Sequence, residues 1–194
     1  MSNIWIVGNA NEKKSINHLV HKDDTVIRFN NPNSTCSLKP TILFMSTAYS
    51  FLNFIFTRPN EVNWETIFSA KKIIYRWTIK SVLLNKPEPL SVFHRIKFIR
   101  YFYRFSKFKK LPDSTLFFPR KKFIEYQREL QMSAQPSSGI LAVLWCLENS
   151  PKQKIFIHNF TFEGWDGHDW GREKEFLHHL QEMGKIQIVQ TENN

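Results

Sequence analysis

Residues 3–9, NIWIVGN, open the chain with an unbroken apolar run that stops at a Gly-Asn turn. A short continuous run bounded by a turn reads as a strand buried on both faces, the kind found in parallel sheets covered by helices. Residues 24–29 (DTVIRF) read as a second strand, closed by Asn30-Asn31-Pro32, and residues 41–45 (TILFM) as a third. Between the first two, residues 12–20 read as a helix. The far end repeats the pattern. Residues 114–119 (STLFFP) read as a strand, 120–130 as a helix, and 134–139 (AQPSSG) open into the apolar helix ILAVLWCLEN, stopped by Pro151. A strand over 154–160 follows, then a helix over 170–183 with Gly184 in the stop position, and a last strand over 185–189. This alternation predicts an α/β fold: a single Rossmann-like domain over residues 1–194, with a mostly parallel sheet and helices on both faces.

The middle, about residues 48–112, reads as a variable basic and aromatic segment. Residues 64–84 mix helix-like and strand-like spacing. Residues 95–110 (RIKFIRYFYRFSKFKK) read as a helix with seven Lys/Arg, at 95, 97, 100, 104, 107, 109 and 110, among Phe, Tyr and Ile. This stretch has three readings: a solvated helix with its apolar side in the core, a helix on an anionic membrane surface, or a nucleic-acid backbone contact.

Composition narrows the class. With 42% hydrophobic and 23% charged residues, the 194-residue chain can bury a sizeable core and is not a disordered segment. Its 27 Lys+Arg against 17 Asp+Glu give a net charge of +10, which favours anionic partners: a nucleotide, a nucleic acid or lipid headgroups. Cys36 and Cys146 allow one bridge at most, which excludes a disulfide framework; two reduced core thiols are expected. The N-terminus lacks a signal-peptide pattern, and no window of 18 apolar residues occurs. The expected address is cytoplasmic, with peripheral contact at an inner membrane left open.

In such sheets ligands bind at the carboxyl ends of the strands. Gly8-Asn9 falls there, where Gly lets a ligand approach the backbone and an Asn amide both donates and accepts; an ordinary turn is the plainer reading. No GxGxxG is present. Ser137-Ser138-Gly139 opens a helix, whose free N–H groups and hydroxyls suit an anion, although a plain Ser cap explains the residues equally well. No GxxxxGK[ST] phosphate loop is present. His168 stands just ahead of the helix over 170–183 and five residues before Glu173. A positive helix end favours the neutral imidazole that a general base needs; a histidine that caps the helix or bonds within its loop is the alternative. His158, His178 and His179 offer no metal spacing with it, and HExxH and paired CxxC motifs are absent, so no metal is expected.

Together these segments resemble the sialyltransferases, the animal-type family and its bacterial relatives. The family's long motif has a Val-Gly-Asn turn and then Asp leading into a Val-x-Arg-x-Asn strand end; here it is matched by Val7-Gly8-Asn9 and by Asp24 through Val26, Arg28 and Asn30. The short motif, Pro-Ser-[Ser/Thr]-Gly opening an apolar helix, is matched by Pro136-Ser137-Ser138-Gly139 and continues to a strand ending in an aromatic, here Phe160. The His-x4-Glu motif is matched by His168 and Glu173. The matches cover roughly the first 45 and last 60 residues.

The resemblance implies an inverting, metal-independent glycosyltransferase using a CMP-sugar donor, CMP-sialic acid or CMP-Kdo, with no separate cofactor. It implies that Gly8, Asn9 and Asn30 hold the nucleotide and phosphate, that Ser137, Ser138 and Gly139 bind the CMP portion, that His168 is the general base, and that Glu173 orients its loop or helix. Arg28 and Arg172 are candidates for the sugar carboxylate. The implied partners are the donor and a glycan or glycolipid acceptor, such as a lipooligosaccharide or capsule precursor in a bacterial cell. Peripheral contact with anionic membrane stays open, and no nucleic acid is expected. The rival reading is a non-enzymatic basic module for nucleic acid or an anionic membrane surface. The animal members' disulfide does not carry over, because Cys36 and Cys146 do not stand at its places.

Overall fold

The computed structural model describes residues 2–10, 15–32, 36–76, 91–107, 115–131, 134–164 and 166–189. The strands are β1 (Ile4–Val7), β2 (Thr25–Phe29), β3 (Ile42–Met45), β4 (Lys72–Tyr75), β5 (Thr115–Phe117), β6 (Ile155–His158) and β7 (Gln187–Val189). The helices are α1 (Tyr49–Thr57), α2 (Trp64–Ser69), α3 (Val92–Ser106), α4 (Arg120–Glu129), α5 (Ser138–Asn149) and α6 (Trp170–Glu182). The strands form one seven-stranded sheet in the order β5-β4-β3-β2-β1-β6-β7. Every pairing is parallel, with Ile4 opposite both Thr25 of β2 and Ile155 of β6. The α/β class and the parallel sheet read from the sequence are therefore what the chain forms.

The apolar runs are continuous because the inner strands β1 to β4 are covered on both faces. Ile4, Ile6, Ile27 and Phe44 face one core with residues of α4, α5 and α6. Their neighbours Leu43, Met45 and Ile73 face a second core with α1, α2 and α3, while Trp5, Val7 and Val26 face Ile16 and Cys36 on the connecting loops. Each large apolar side chain buried this way stabilises the fold by about 1.5–3 kcal/mol. The two faces also fix the direction of winding. From β1 to β5 the described parts of the connections lie on the second face and the chain steps outward; after β5 they lie on the first, and the chain returns to β6 and β7 beside β1. Right-handed crossovers require that reversal, and it puts the point where the strand order reverses at β1 and β6, whose carboxyl ends are where ligands bind in such sheets.

Local signals set the helix ends. Ser137 caps α5 by accepting from the Ile140 N–H, and Asp169 caps α6 by accepting from the Arg172 N–H. At the far end of α6, Gly184 (φ +68°) lets its N–H reach the Gln181 carbonyl and the Lys185 N–H reach that of Leu180, both at 2.9 Å.

Two local expectations change. Residues 15–20, the described part of the helix expected over 12–20, contain only a 3-10 turn at Asn17–Leu19. Ile16 alone of these six is buried, too narrow an apolar face to hold an α-helix. Within the ambiguous stretch 64–84, the described residues make the short helix α2 and the strand β4; residues 77–84 lie outside the described ones. The basic helix expected over 95–110 is α3, which begins earlier, at Val92; residues 108–110 lie outside the described ones. Both cysteines are buried free thiols. Among the described residues no helix is long and apolar enough to cross a membrane.

Backbone meets backbone closely at Gly8, just beyond β1. Its N–H donates to the His158 carbonyl at 2.8 Å, and a Cβ there would lie 2.1 Å from the Asn159 carbonyl oxygen. Gly171, in the first turn of α6, has nothing nearer than 3.9 Å. Urea denaturation should therefore show Gly8→Ala losing about 2–3 kcal/mol, an overpacking cost against rigid backbone. Gly171→Ala should be neutral or stabilising by less than about 1 kcal/mol.

Candidate active site

The carboxyl edge of the sheet collects the candidate residues. Asn9 follows β1, and its Nδ2 donates to the carbonyls of Phe29 (3.0 Å) and Asn31 (3.4 Å), tying the ends of β1 and β2 together. Asn30 ends β2 in the left-handed region (φ 50°), a conformation Asn tolerates. Its Oδ1 accepts from the Ser46 N–H at 2.7 Å, so it fastens β2 to the residue after β3. Asn159, left-handed at φ 63°, does the same after β6 by donating to the Ala10 carbonyl at 2.7 Å. Asn159 opens the segment 159–168, which the sequence places after a strand at the carboxyl edge; its position directly after an apolar run, like that of Asn30, is its signal there.

Phe160 links the two halves. Its ring lies where a Cβ would project from Gly139, 2.5 Å away, and 3.2 Å from the corresponding position on Gly8. The missing side chain of Gly139 therefore makes room for this ring, which meets Phe29 edge-on at 6.0 Å. Gly8, Phe160 and Gly139 thus form one contact joining β1, the loop after β6 and the first turn of α5.

Beside it, three segments converge on the turn 135–137. Glu173, 2% exposed, accepts from both the backbone N–H and the hydroxyl of Ser137, each at 2.6 Å. The Ser137 hydroxyl proton is thereby committed to Glu173 while its oxygen caps the Ile140 N–H, so this serine holds the turn. Ser138, buried beside it, begins the helix. Arg76, directly after β4, donates through Nη2 to the Pro136 carbonyl at 2.6 Å and to Oε1 of Gln135 at 3.5 Å. His168 places Nδ1 2.6 Å from the Gln135 carbonyl.

These contacts set the charges. Burial pushes the Glu173 carboxyl above its ordinary value, and the Ser137 bonds and the Arg76 cation pull it back. Burial lowers the Arg76 guanidinium to about 10, against the opposing attraction of Glu173, so it stays charged at neutral pH. Burial also lowers His168 below the ordinary histidine value of 6.5, and Arg76 repels its imidazolium form; the bond to Gln135 acts the other way. A carbonyl can only accept, so Nδ1 of His168 carries the proton and the neutral ring keeps its lone pair on Nε2. The cap of α6 is Asp169, not His168. Trp170 packs edge-on against the imidazole at 4.9 Å and limits its rotation.

Arg76 was missed because it stands in the stretch of ambiguous spacing; a lone cation directly after the apolar Ile73-Ile74-Tyr75 was its only sign. Two other arginines are spoken for. Arg28 is fully buried and donates to the carbonyls of Cys36 (3.5 Å) and Leu38 (3.2 Å), a role in folding the connection after β2. Arg172 pairs with Glu175 and donates to the Leu130 carbonyl and to the Gln131 side chain.

Glu173→Gln keeps the shape but turns an N–H2 toward one of the two Ser137 donors and leaves Arg76 without its counter-charge. Chemical denaturation should show a loss of roughly 2–4 kcal/mol. A loss within 0.5 kcal/mol, roughly the range of a neutral surface change, would mean that the carboxylate does not hold this turn.

The chain is similar in structure to a mammalian sialyltransferase known from a crystal structure, with a TM-score of 0.63. The match covers 98% of this chain and 70% of that one at 17% identity. No family model and no curated protein matches the sequence. At that identity the likeness establishes the fold: a sialyltransferase-like α/β architecture.

Proposed function

We propose that the protein is an inverting glycosyltransferase that moves a sugar acid from a CMP-activated donor, CMP-sialic acid or CMP-Kdo, to a hydroxyl of a glycan or glycolipid acceptor. The observation that carries this reading is His168. Its Nδ1 is fixed on a backbone carbonyl and its Nε2 is left basic, beside a helix N-terminus at the carboxyl edge of a sialyltransferase-like sheet.

The chemistry follows from those parts. CMP leaves as a phosphate monoester, so its departure needs charge stabilisation more than a proton. The first amides of α5, at Ser138 and Gly139, and the Ser138 hydroxyl supply donors at the positive end of the helix dipole. Asn9 and Asn30, fixed at the ends of β1 and β2, border the nucleotide and phosphate. The acceptor hydroxyl attacks the anomeric carbon on the face opposite CMP while its proton passes to His168 Nε2. The bond from that carbon to the phosphate oxygen breaks, the electron pair leaves with CMP, and the configuration inverts. Glu173 and Ser137 act as positioning residues through the turn that carries Gln135. The mechanism assigns no step to a metal.

His168→Ala should lower kcat by about 10²- to 10⁴-fold, the usual worth of a general base. CMP affinity should stay within about twofold, since the lost group acts on the acceptor. In the parent enzyme the acid limb of kcat/KM should fall below pH 6.5, because the folded imidazole resists protonation. The same shift removes stability as the pH drops from 6.5 through the lowered value, where the unfolded chain takes up the proton more readily. Normal turnover in His168→Ala would remove the base from this assignment, and an NMR product with retained configuration would overturn inversion.

A further inference from the structure

We propose that the outer face of α3 (Val92–Ser106) docks onto an anionic lipid membrane. The inference uses no residue of the candidate active site and stands apart from the transferase reading. The inner face of α3 packs Phe98, Phe102 and Phe105 into the second core. At about 100° per residue, Val92, Ile96, Ile99 and Tyr103 fall on one outer stripe about 60° wide, and Phe93 stands about 60° beyond it on one flank. These five side chains are 73, 49, 43, 62 and 70% exposed in that order. Arg95 stands on one flank of the stripe, with Arg100 and Arg104 on the other and Lys107 at the end. Residues 92–107 contain no Asp or Glu.

Aromatic rings lie under the charged ends of three of the cations. Lys97 lies over Tyr101 (5.5 Å), Arg104 over Phe56 (4.8 Å) and Lys107 over Tyr103 (5.2 Å). An apolar stripe flanked by cations is the construction of a helix lying in a bilayer interface, its stripe in the acyl boundary and its cations among lipid phosphates. A nucleic acid would use the cations and aromatic rings but gives no reason to expose Val92, Ile96 and Ile99. A second copy of the chain would set these cations against their own kind.

The helix also has a direction. The His94 ring lies 5.0 Å from Tyr49, the first residue of α1, and Tyr101 stacks at 4.8 Å on Phe56 near the end of α1. Helix α1 starts at the carboxyl end of β3, so α3 starts at that edge as well. Its two most exposed residues, Val92 and Phe93, therefore lie on the same edge of the sheet as Gly8 and Asn30.

Flotation with vesicles of phosphatidylglycerol and phosphatidylcholine, against phosphatidylcholine alone, tests the surface. The protein should float with the anionic vesicles and release as salt is raised. The triple change Val92→Ser, Phe93→Ser, Ile96→Ser should weaken binding about tenfold or more, with unchanged circular dichroism because all three residues are exposed. Arg95→Gln with Arg100→Gln should erase the preference for anionic lipid. An environment-sensitive fluorophore on Phe93→Cys, selective because Cys36 and Cys146 are buried, should shift to the blue on adding anionic vesicles. Vesicle binding unaltered by the serine changes, or no shift of the fluorophore, would overturn the proposal. So would a serine-sensitive self-association without vesicle binding, or salt-sensitive oligonucleotide binding in its place.

Discussion

The buried carboxylate of Glu173 is the contact on which the candidate site depends. It reaches from α6 to the N-terminal turn of α5 and accepts both polar hydrogens of Ser137. A carboxylate at 2% exposure is costly unless its oxygens are satisfied and its charge is balanced. Ser137 supplies the hydrogen bonds and Arg76, from the end of β4, supplies the balance. Arg76 fastens the Pro136 carbonyl of the same turn, so β4, α5 and α6 lock one another. His168 then finds the Gln135 carbonyl at a fixed place, and that carbonyl decides which ring nitrogen stays basic. Glu173 thus acts, through the turn, on which nitrogen of His168 carries the proton.

A second constraint works by shape. The order of winding reverses between β1 and β6, and Gly8 lets the two strand ends close to backbone contact there. Phe160 fills the space left by Gly139 and carries the first turn of α5 against the strand ends. Asn9, Asn30 and Asn159 complete the edge by bonding across neighbouring connections. These contacts tie the strand ends and the first turn of α5 together at that edge.

Much of this was legible in the sequence. Strands covered on both faces show as continuous apolar runs, so β1, β2, β3 and β6 could be read directly, and the Ser and Gly signals marked the start of α5 and the end of α6. The strand β4 was not legible, because Lys72 and a following arginine bracket only three apolar residues, and its pairing with β3 and β5 decides its form. For Ser137 and Gly139 the sequence allowed either a ligand or a structural partner. The structure gives them Glu173 and Phe160, partners 36 and 21 positions away by number, which no local pattern contains. The tautomer of His168 was hidden for the same reason, since the Gln135 carbonyl that fixes it lies in another segment.

The most direct measurement is a calorimetric titration of the protein with CMP in the absence of added metal, with UMP, AMP and a short single-stranded oligonucleotide as controls. A nucleotide-donor site at the carboxyl edge of the sheet predicts binding of CMP in clear preference to the other three. Tight, salt-sensitive heat from the oligonucleotide with none from CMP would contradict it, and would make the chain a basic binding module on a transferase-like fold.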